Sequence, residues 1–290
     1  MKQGLTKCKT SDYLYAICKL WDCYFITKYF NFVNGGLGGM KKVLIEVCCG
    51  SFDDAIEAKN AGADRIELNS SLFFGGLTPS IGSIIESKKS LDIPVIVMVR
   101  PRGGGFCYTD SEFKVMEQDV KTAIGYGADG IAFGILNEDG TVDVDRCKRL
   151  VDLIGDKEAV FHRAFDVVPD PLIALDQLVE MGMKRILTKG QENTIEEGEA
   201  LLKKLISYSN GRIEILPGGC RPYNIERIVK EIGCDQVHLA SFVAKRDNST
   251  AARAHVYFGA ALRAPEDSYD VANYSYLKDM RDNIDRLTIE

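Results

Sequence analysis

Four segments of the chain share one pattern, in which a helix-like stretch ends at a glycine and a short apolar strand follows within about three residues. Glycine adopts the left-handed conformation that ends a helix, and such a short joint is typical of α-to-β connections. The stretch of chain between one such segment and the next is long enough for one further strand and two helices. The pattern therefore predicts eight βα units in one domain, an α/β fold of the TIM-type (β/α)8 barrel class. The glycines are Gly62, Gly127, Gly182 and Gly233.

Apolar runs between these joints give the predicted strands. The expected ranges are 43–49, 65–69, 95–100, 130–136, 159–165, 185–189, 213–216 and 236–241. Residues 244–268 are expected to be irregular, and an amphipathic helix is expected over 271–287. In a barrel of this kind the carboxyl ends of the strands and the loops after them carry the chemistry. Polar residues at those ends are therefore the candidates for a functional site.

Composition limits the classes of function and partner. The formal net charge of −6 gives no basic stripe, so neither nucleic acid nor an anionic membrane surface is an expected partner. Nine cysteines without regular spacing predict free thiols in a reducing cytoplasm. Residues 1–39 carry neither a clean apolar span nor a signal-peptide pattern. We expect them to be a non-native or disordered extension, followed by the barrel over 40–290, with a C-terminal tail or helix from about residue 244.

Charged residues in the first three strands predict a polar mouth. Side chains alternate along a strand, so Glu46 shares a face with Cys48, Glu67 with Asn69, and Arg100 lies on the corresponding face of the third strand. Buried charge is costly unless it is paired, so we expect Glu46, Glu67 and Arg100 to neutralise one another there. Two interpretations remain open, a structural ion-pair cluster and a ligand site. As a catalytic site, the mouth would use the acid and base candidates Glu46, Glu67, His162 and Asp166.

Two loops have the composition of anion-binding loops. Residues 100–106 combine two arginines with three glycines, and arginine forks and bare backbone N–H groups both bind oxyanions. The alternative is that the arginines satisfy nearby carboxylates while the glycines only turn the chain. A Gly-Gly pair follows the seventh strand, where many barrels bind phosphate. The candidates for binding an anion are Arg100, Arg102, Gly103, Gly104, Arg163, Thr188, Gly218, Gly219 and His238.

Soft ligands form a third group of candidates. Cys48, Cys107 and Cys220 all follow or end predicted strands at the same end of the barrel. Thiolates favour Cu(I) over hard cations, although scattered buried cysteines usually behave as small hydrophobes. Cys48 is the main metal-ligand candidate, and Cu(I) is the only cofactor expected, with no organic cofactor.

Several ordered motifs together resemble one family, that of the copper homeostasis protein CutC. The resemblance covers about residues 40–241 and implies a TIM-type barrel, a cytosolic location, a link to copper tolerance through Cu(I) binding, and assembly as a homodimer or larger homo-oligomer. The motifs are Glu46-Val-Cys48, Gly62-Ala-Asp-Arg-Ile-Glu-Leu68, Gly75-Gly-Leu-Thr-Pro-Ser80, Arg100-Pro-Arg-Gly-Gly, Gly127-Ala-Asp-Gly-Ile-Ala-Phe-Gly134, Phe161-His-Arg-Ala-Phe-Asp166, Arg185-Ile-Leu-Thr188 and Pro217-Gly-Gly.

Two positions depart from the family pattern. The resemblance implies a second cysteine ligand after the Arg-Ile-Glu-Leu stretch, where this chain has Asn69, and a small residue where Lys189 stands. An amide oxygen is too hard to replace a thiolate for Cu(I), so the two-cysteine site is broken unless Cys107 or Cys220 substitutes. Three hypotheses follow: a copper-handling protein, an enzyme acting by acid–base chemistry on a small anionic substrate, phosphorylated ones included, and a noncatalytic oligomeric interaction module.

Overall fold

The computed structural model describes residues 42–259 and 266–287. The predicted extension at 1–39 lies outside these residues. Eight strands alternate with helices along the chain: β1 Leu44–Cys49, α1 Phe52–Asn60, β2 Arg65–Leu68, α2 Ile81–Ser90, β3 Val95–Met98, α3 Asp110–Gly125, β4 Gly130–Phe133, α4 Val144–Ile154, β5 Glu158–Phe161, α5 Pro171–Glu180, β6 Arg185–Thr188, α6 Ile195–Ser209, β7 Glu214–Pro217, α7 Ile225–Ile232 and β8 Gln236–Leu239. A short hairpin of β9 Phe242–Arg246 and β10 Ser268–Ala272 precedes α8 Tyr274–Leu287.

The eight strands form one parallel sheet in the order β7-β6-β5-β4-β3-β2-β1-β8. One further parallel bridge, between Gly218 and His238, joins the two ends of this sheet. The sheet is therefore a nearly closed barrel, and the predicted TIM-type fold is confirmed. Within this sheet β1 pairs with β8 and with β2, which sets Glu46 opposite His238 on one side and opposite Arg65 on the other.

Local sequence signals explain where the helices begin and end. The glycines at 62, 127, 182 and 233 have φ angles from 74° to 95°, the left-handed region that ends a helix before each following strand. Capping boxes begin α3 and α6. In each, a threonine side chain accepts from the backbone N–H three residues on, and a glutamate accepts from the threonine N–H. These devices hold the loops that surround the barrel mouth.

Several predicted strands run a few residues past their observed ends, and two predicted segments differ most. The fifth strand ends at Phe161 rather than 165, because the His162 ring accepts from the N–H of Ala164 and starts a 3₁₀ turn over Arg163–Val167. The segment 244–268 is not irregular throughout, since part of it pairs in the β9–β10 hairpin. Most residues of this hairpin are exposed, so it lacks the buried alternation by which a strand is recognised in sequence.

The barrel interior is divided between an apolar and an ionic part. Ile96, Met98, Ala132 and Val160 pack together on the β3–β5 side. On the other side, the fully buried Arg185 contacts Glu158, Glu214 and Gln236. These contacts fill the barrel below its mouth, so any cavity at the carboxyl ends of the strands is closed from below. Among the residues described, no helix is long and apolar enough to cross a bilayer.

Candidate functional site

A cavity of about 370 Å³ opens at the carboxyl ends of the strands. Its walls combine aromatic and aliphatic side chains with buried ionisable groups, as in many sites for small ligands. As expected from the alternation of side chains along the strands, Cys48, Glu67 and Arg100 all line this cavity. The lining residues are Cys48, Glu67, Asn69, Phe74, Gly75, Met98, Arg100, Phe106, His162, Arg163, Asp166, Val167, Leu187 and His238.

Three potential metal ligands converge in this cavity. One ligand atom each of Cys48, Glu67 and His238 lies within 4.8 Å of the other two. Cys48 is the last but one residue of β1, Glu67 is its register partner on β2, and His238 lies on β8 at the other edge of β1. A thiol, a carboxylate and an imidazole at this spacing can coordinate one metal ion. The pairing of β1 with both β2 and β8 therefore creates the group.

His238 is oriented by a buried carboxylate. Its Nδ1 lies 2.8 Å from Glu46 Oε1, and its Nε2 lies 3.9 Å from Glu67 Oε2. Burial alone would lower the pKa of His238, but the hydrogen bond that His238 donates to Glu46 and the charges of Glu67 and Glu46 outweigh it and raise that pKa. A proton on Nδ1 that is donated to Glu46 leaves Nε2 directed at the cavity. Carboxylates orient metal-binding histidines in this way.

Glu46 is held as a carboxylate by its neighbours. It forms an ion pair with Arg65, whose guanidinium also donates to Gln236 at 3.0 Å. Burial acts to raise the pKa of Glu46, but Arg65 and His238 prevail and hold it well below its usual value. An anion this well paired is a poor general base at neutral pH. Its geometry suits the positioning of His238 better than the predicted catalytic role.

Asn69 lies behind the metal-ligand group. Its Nδ2 donates to Glu67 Oε2 at 3.0 Å and approaches Cys48 Sγ at 3.5 Å. Burial and the charge of Glu67 raise the pKa of the Cys48 thiol well above its usual value. Burial also raises the pKa of Glu67, with a further contribution from Glu46. The metal-free site therefore holds a protonated thiol, and a metal ion has to displace that proton.

The expected neutralisation of Glu46 and Glu67 by Arg100 is wrong. Arg100 instead donates to three backbone carbonyls, those of Phe74 at 2.9 Å, Gly76 at 3.3 Å and Gly104 at 2.6 Å. Arg65 takes its place because the sheet register puts it directly opposite Glu46. The sequence alone does not give this register.

The glycine-rich loop after β3 is held by its own arginines. Arg102 donates to Glu112 at 2.6 Å and to the carbonyl oxygens of Gly105 and Cys107. Gly103 lies against Phe74, where a Cβ would be 3.5 Å from that side chain. These contacts follow the alternative in which the arginines stabilise the loop. The sequence also predicts an anion clamp in this loop, formed by Arg100, Arg102, Gly103 and Gly104. Both of its guanidinium groups are already engaged in these contacts, so an anion would have to bind beside them or displace them.

His162 is buried beside this loop. Its Nδ1 accepts from the N–H of Ala164 at 3.1 Å, and its ring centre lies 5.0 Å from that of Phe106. Burial and the nearby charge of Arg100 lower the pKa of His162 to about 3. The imidazole is therefore neutral at physiological pH. It lacks the pKa near 7 that favours acid–base catalysis, but it remains a cavity wall and a hydrogen-bonding group.

Asp166 fastens the loop after β6 to the turn after β5. It accepts from Arg163 Nε at 2.7 Å, from the Thr188 hydroxyl at 2.5 Å, and from the N–H groups of Lys189 and Gln191. Four donors leave this carboxylate little capacity to accept a substrate proton. Its contacts bring Arg163 and Thr188 together, as expected of residues at one strand edge. The arrangement positions the loop, and the predicted catalytic role of Asp166 remains a prediction.

Two of the predicted soft ligands lie apart from the group around Cys48. Within the described part of the chain, the metal-ligand group contains neither Cys107 nor Cys220. Cys107 is exposed in the loop after β3, and Cys220 is buried after β7, where burial raises its thiol pKa. Gly218 and Gly219 line a second cavity, together with Cys48 and His238. By sequence, His238 is a candidate for binding an anion rather than a metal. Its place beside Cys48 follows only from the pairing of β8 with β1.

Comparison with known proteins identifies the family of this chain. The model of the CutC family matches residues 43–243. A CutC family protein of Treponema denticola is 51% identical over 234 residues, covering 80% of this chain and 95% of that protein. The human protein named copper homeostasis protein cutC homolog is 40% identical, covering 84% and 90%. A CutC protein from Streptococcus agalactiae, known from its crystal structure, is 38% identical in sequence and superposes on this chain with a TM-score of 0.65. The match covers 68% of this chain and 97% of the Streptococcus chain. The chain therefore belongs to the CutC family.

Proposed function

We propose that this chain handles copper by binding Cu(I) at the Cys48–Glu67–His238 group. The observation that carries the proposal is the convergence of these three ligand atoms within 4.8 Å at the barrel mouth. The human and mouse relatives are named copper homeostasis protein cutC homologs, which supports copper as the metal. Copper would then be cargo rather than a resident catalyst.

The donor atoms suit Cu(I) unequally. The Cys48 thiolate is the soft ligand that selects Cu(I), and the His238 imidazole is a good second ligand. The Glu67 carboxylate is harder and the weakest of the three for Cu(I), and metal binding would release the thiol proton to solvent. Glu46 would strengthen His238 as a donor through the hydrogen bond to Nδ1. Asn69 would orient Glu67 and Cys48 without binding the metal.

An anaerobic competition titration with a Cu(I) chelator tests this proposal. Cys48→Ser is expected to weaken Cu(I) binding by at least about tenfold, because serine removes the only thiol of the group. Cys107→Ser is the matched control, since it removes an exposed thiol at the same end of the barrel that does not belong to the Cys48–Glu67–His238 group. Unchanged affinity in Cys48→Ser would reject the proposed site, whatever Cys107→Ser does.

We also infer a cytosolic location and a homo-oligomeric state. The six cysteines at 48, 49, 107, 147, 220 and 234 are all free, which fits a reducing compartment. The family resemblance is the support for a dimer or larger assembly. Sedimentation analysis of the full chain measures that state, and a monomer at micromolar concentration would exclude it.

A further inference from the structure

A second cavity of about 280 Å³ lies beside the first, at the ends of β6, β7 and β8. The two cavities share Cys48, Arg163 and His238 and so form one continuous mouth. The second cavity is lined in addition by Lys189, Gly218, Gly219 and Arg221. We call it the basic cavity, after its three cations Arg163, Lys189 and Arg221.

The cations of the basic cavity exceed the anions that contact them. Arg163 pairs with Asp166 at 2.7 Å. Lys189 Nζ donates to the carbonyl of Asn193 at 3.1 Å, and Arg221 makes long contacts of 3.4 Å with two carbonyls. Over residues 42–259 and 266–287, neither Lys189 nor Arg221 forms a salt bridge with a carboxylate. This concentration of positive charge contrasts with the chain's net charge of −6.

The positions of the cations make them repel one another. Burial lowers the pKa of Lys189, and the charges of Arg163 and Arg221 lower it further. Asp166 and Glu196 act in the opposite direction, but the pKa remains lowered. A bound anion would remove this repulsion, because an opposite charge stabilises the charged lysine. The cavity is therefore electrostatically suited to an anion of more than one charge.

The backbone after β7 leaves room for such an anion. Gly219 has a φ of 97°, and a Cβ there would lie 3.2 Å from Lys189 Cε. The absence of that Cβ lets the lysine stem lie against the turn. The Gly219 N–H makes only a long 3.4 Å bond to the His238 carbonyl, so it remains available to a stronger acceptor. Backbone N–H groups in a glycine turn beside lysine and arginine form an oxyanion site.

The adjoining cavity indicates what the anion is attached to. Phe74, Phe106 and Leu187 give that cavity apolar walls next to the basic cavity. We propose that the basic cavity binds the dianionic group of an organic phosphate monoester, whose organic part lies between Phe74 and Phe106. This goes beyond copper binding and assigns Lys189 and Arg221 as phosphate ligands.

Calorimetric titration of the metal-free full chain with phenyl phosphate and with inorganic phosphate tests the proposal. At pH 8 both probes are dianions, because their second pKa is about 6 to 7. We expect phenyl phosphate to bind at least about tenfold more tightly than inorganic phosphate, because its ring contacts the apolar walls. Equal binding of the two probes, or no binding of either at 10 mM or so, would overturn the proposal.

Two variants remove the cations separately. Lys189→Met and Arg221→Gln are each expected to weaken phenyl phosphate binding by about tenfold or more, since each loses a charge-assisted bond. Arg221 is exposed, so its replacement is expected to leave folding unchanged. Lys114→Met, an exposed lysine on α3, is the control and should bind like the parent. Parent-like binding by both Lys189→Met and Arg221→Gln would refute the assignment. Because no copper is present, failure here leaves the proposed copper site unaffected.

Discussion

Replacement of Arg185 by methionine measures how strongly the ionic layer stabilises the barrel. Arg185 is 1% exposed and contacts carboxylates on two strands, Glu158 at 3.0 Å and Glu214 at 2.8 Å. It also donates to Gln236 at 3.0 Å, which joins β6 to β8, the two strands on either side of β7. Removing one partner of a buried ion pair costs about 3–5 kcal/mol. Both carboxylates are about one-third exposed and regain some water, so we expect the lower end, about 3 kcal/mol.

Equilibrium unfolding in urea at pH 7 gives the free energy of unfolding of each variant. Lys184→Met is the matched control, because Lys184 pairs with the same Glu214 at 2.7 Å but is half exposed. An exposed ion pair contributes about 0–1 kcal/mol, so this control should change little. A cost below about 1 kcal/mol for Arg185→Met, or equal costs for the two variants, would refute the argument that the layer holds the barrel together.

Two further predictions concern the mouth. The pKa of His162 is lowered to about 3 from 6.5, so only the unfolded chain takes up its proton between pH 7 and pH 5. Between pH 7 and pH 5 the parent should therefore lose about 2 kcal/mol of unfolding free energy through this group, and His162→Asn should not. Urea unfolding at several pH values measures both profiles, and parallel profiles would contradict the prediction. Asn69→Cys should raise Cu(I) affinity by about tenfold or more, because the amide it replaces already lies 3.5 Å from Cys48 Sγ. Asn69→Ser is its control, and equal affinities in a chelator competition would count against the geometry.

Much of the fold was predictable because its signals are local. The glycine joints, the capping boxes and the apolar strands each depend on a few neighbouring residues, and they determine eight βα units. The face of Glu46 and Cys48 followed from alternation along one strand. The β9–β10 hairpin was missed because its strands are exposed and therefore carry no hydrophobic pattern.

The site was only partly predictable because it depends on register and closure. Arg65, not Arg100, pairs with Glu46, since the β1–β2 register sets them opposite each other. His238 joins Cys48 because β8 pairs with β1 when the barrel closes, although almost two hundred residues separate them in sequence. His162 was placed within a strand, but its ring caps a 3₁₀ turn, a use of histidine that side-chain type alone does not reveal.

X-ray absorption spectroscopy of the Cu(I)-loaded full chain tests the proposed copper site most directly. Sulfur and nitrogen or oxygen ligands scatter differently, so the spectrum counts the thiols at the metal. The account predicts one sulfur per copper, from Cys48, together with nitrogen or oxygen ligands from His238 and Glu67. Two or more sulfur ligands, or none, would contradict it.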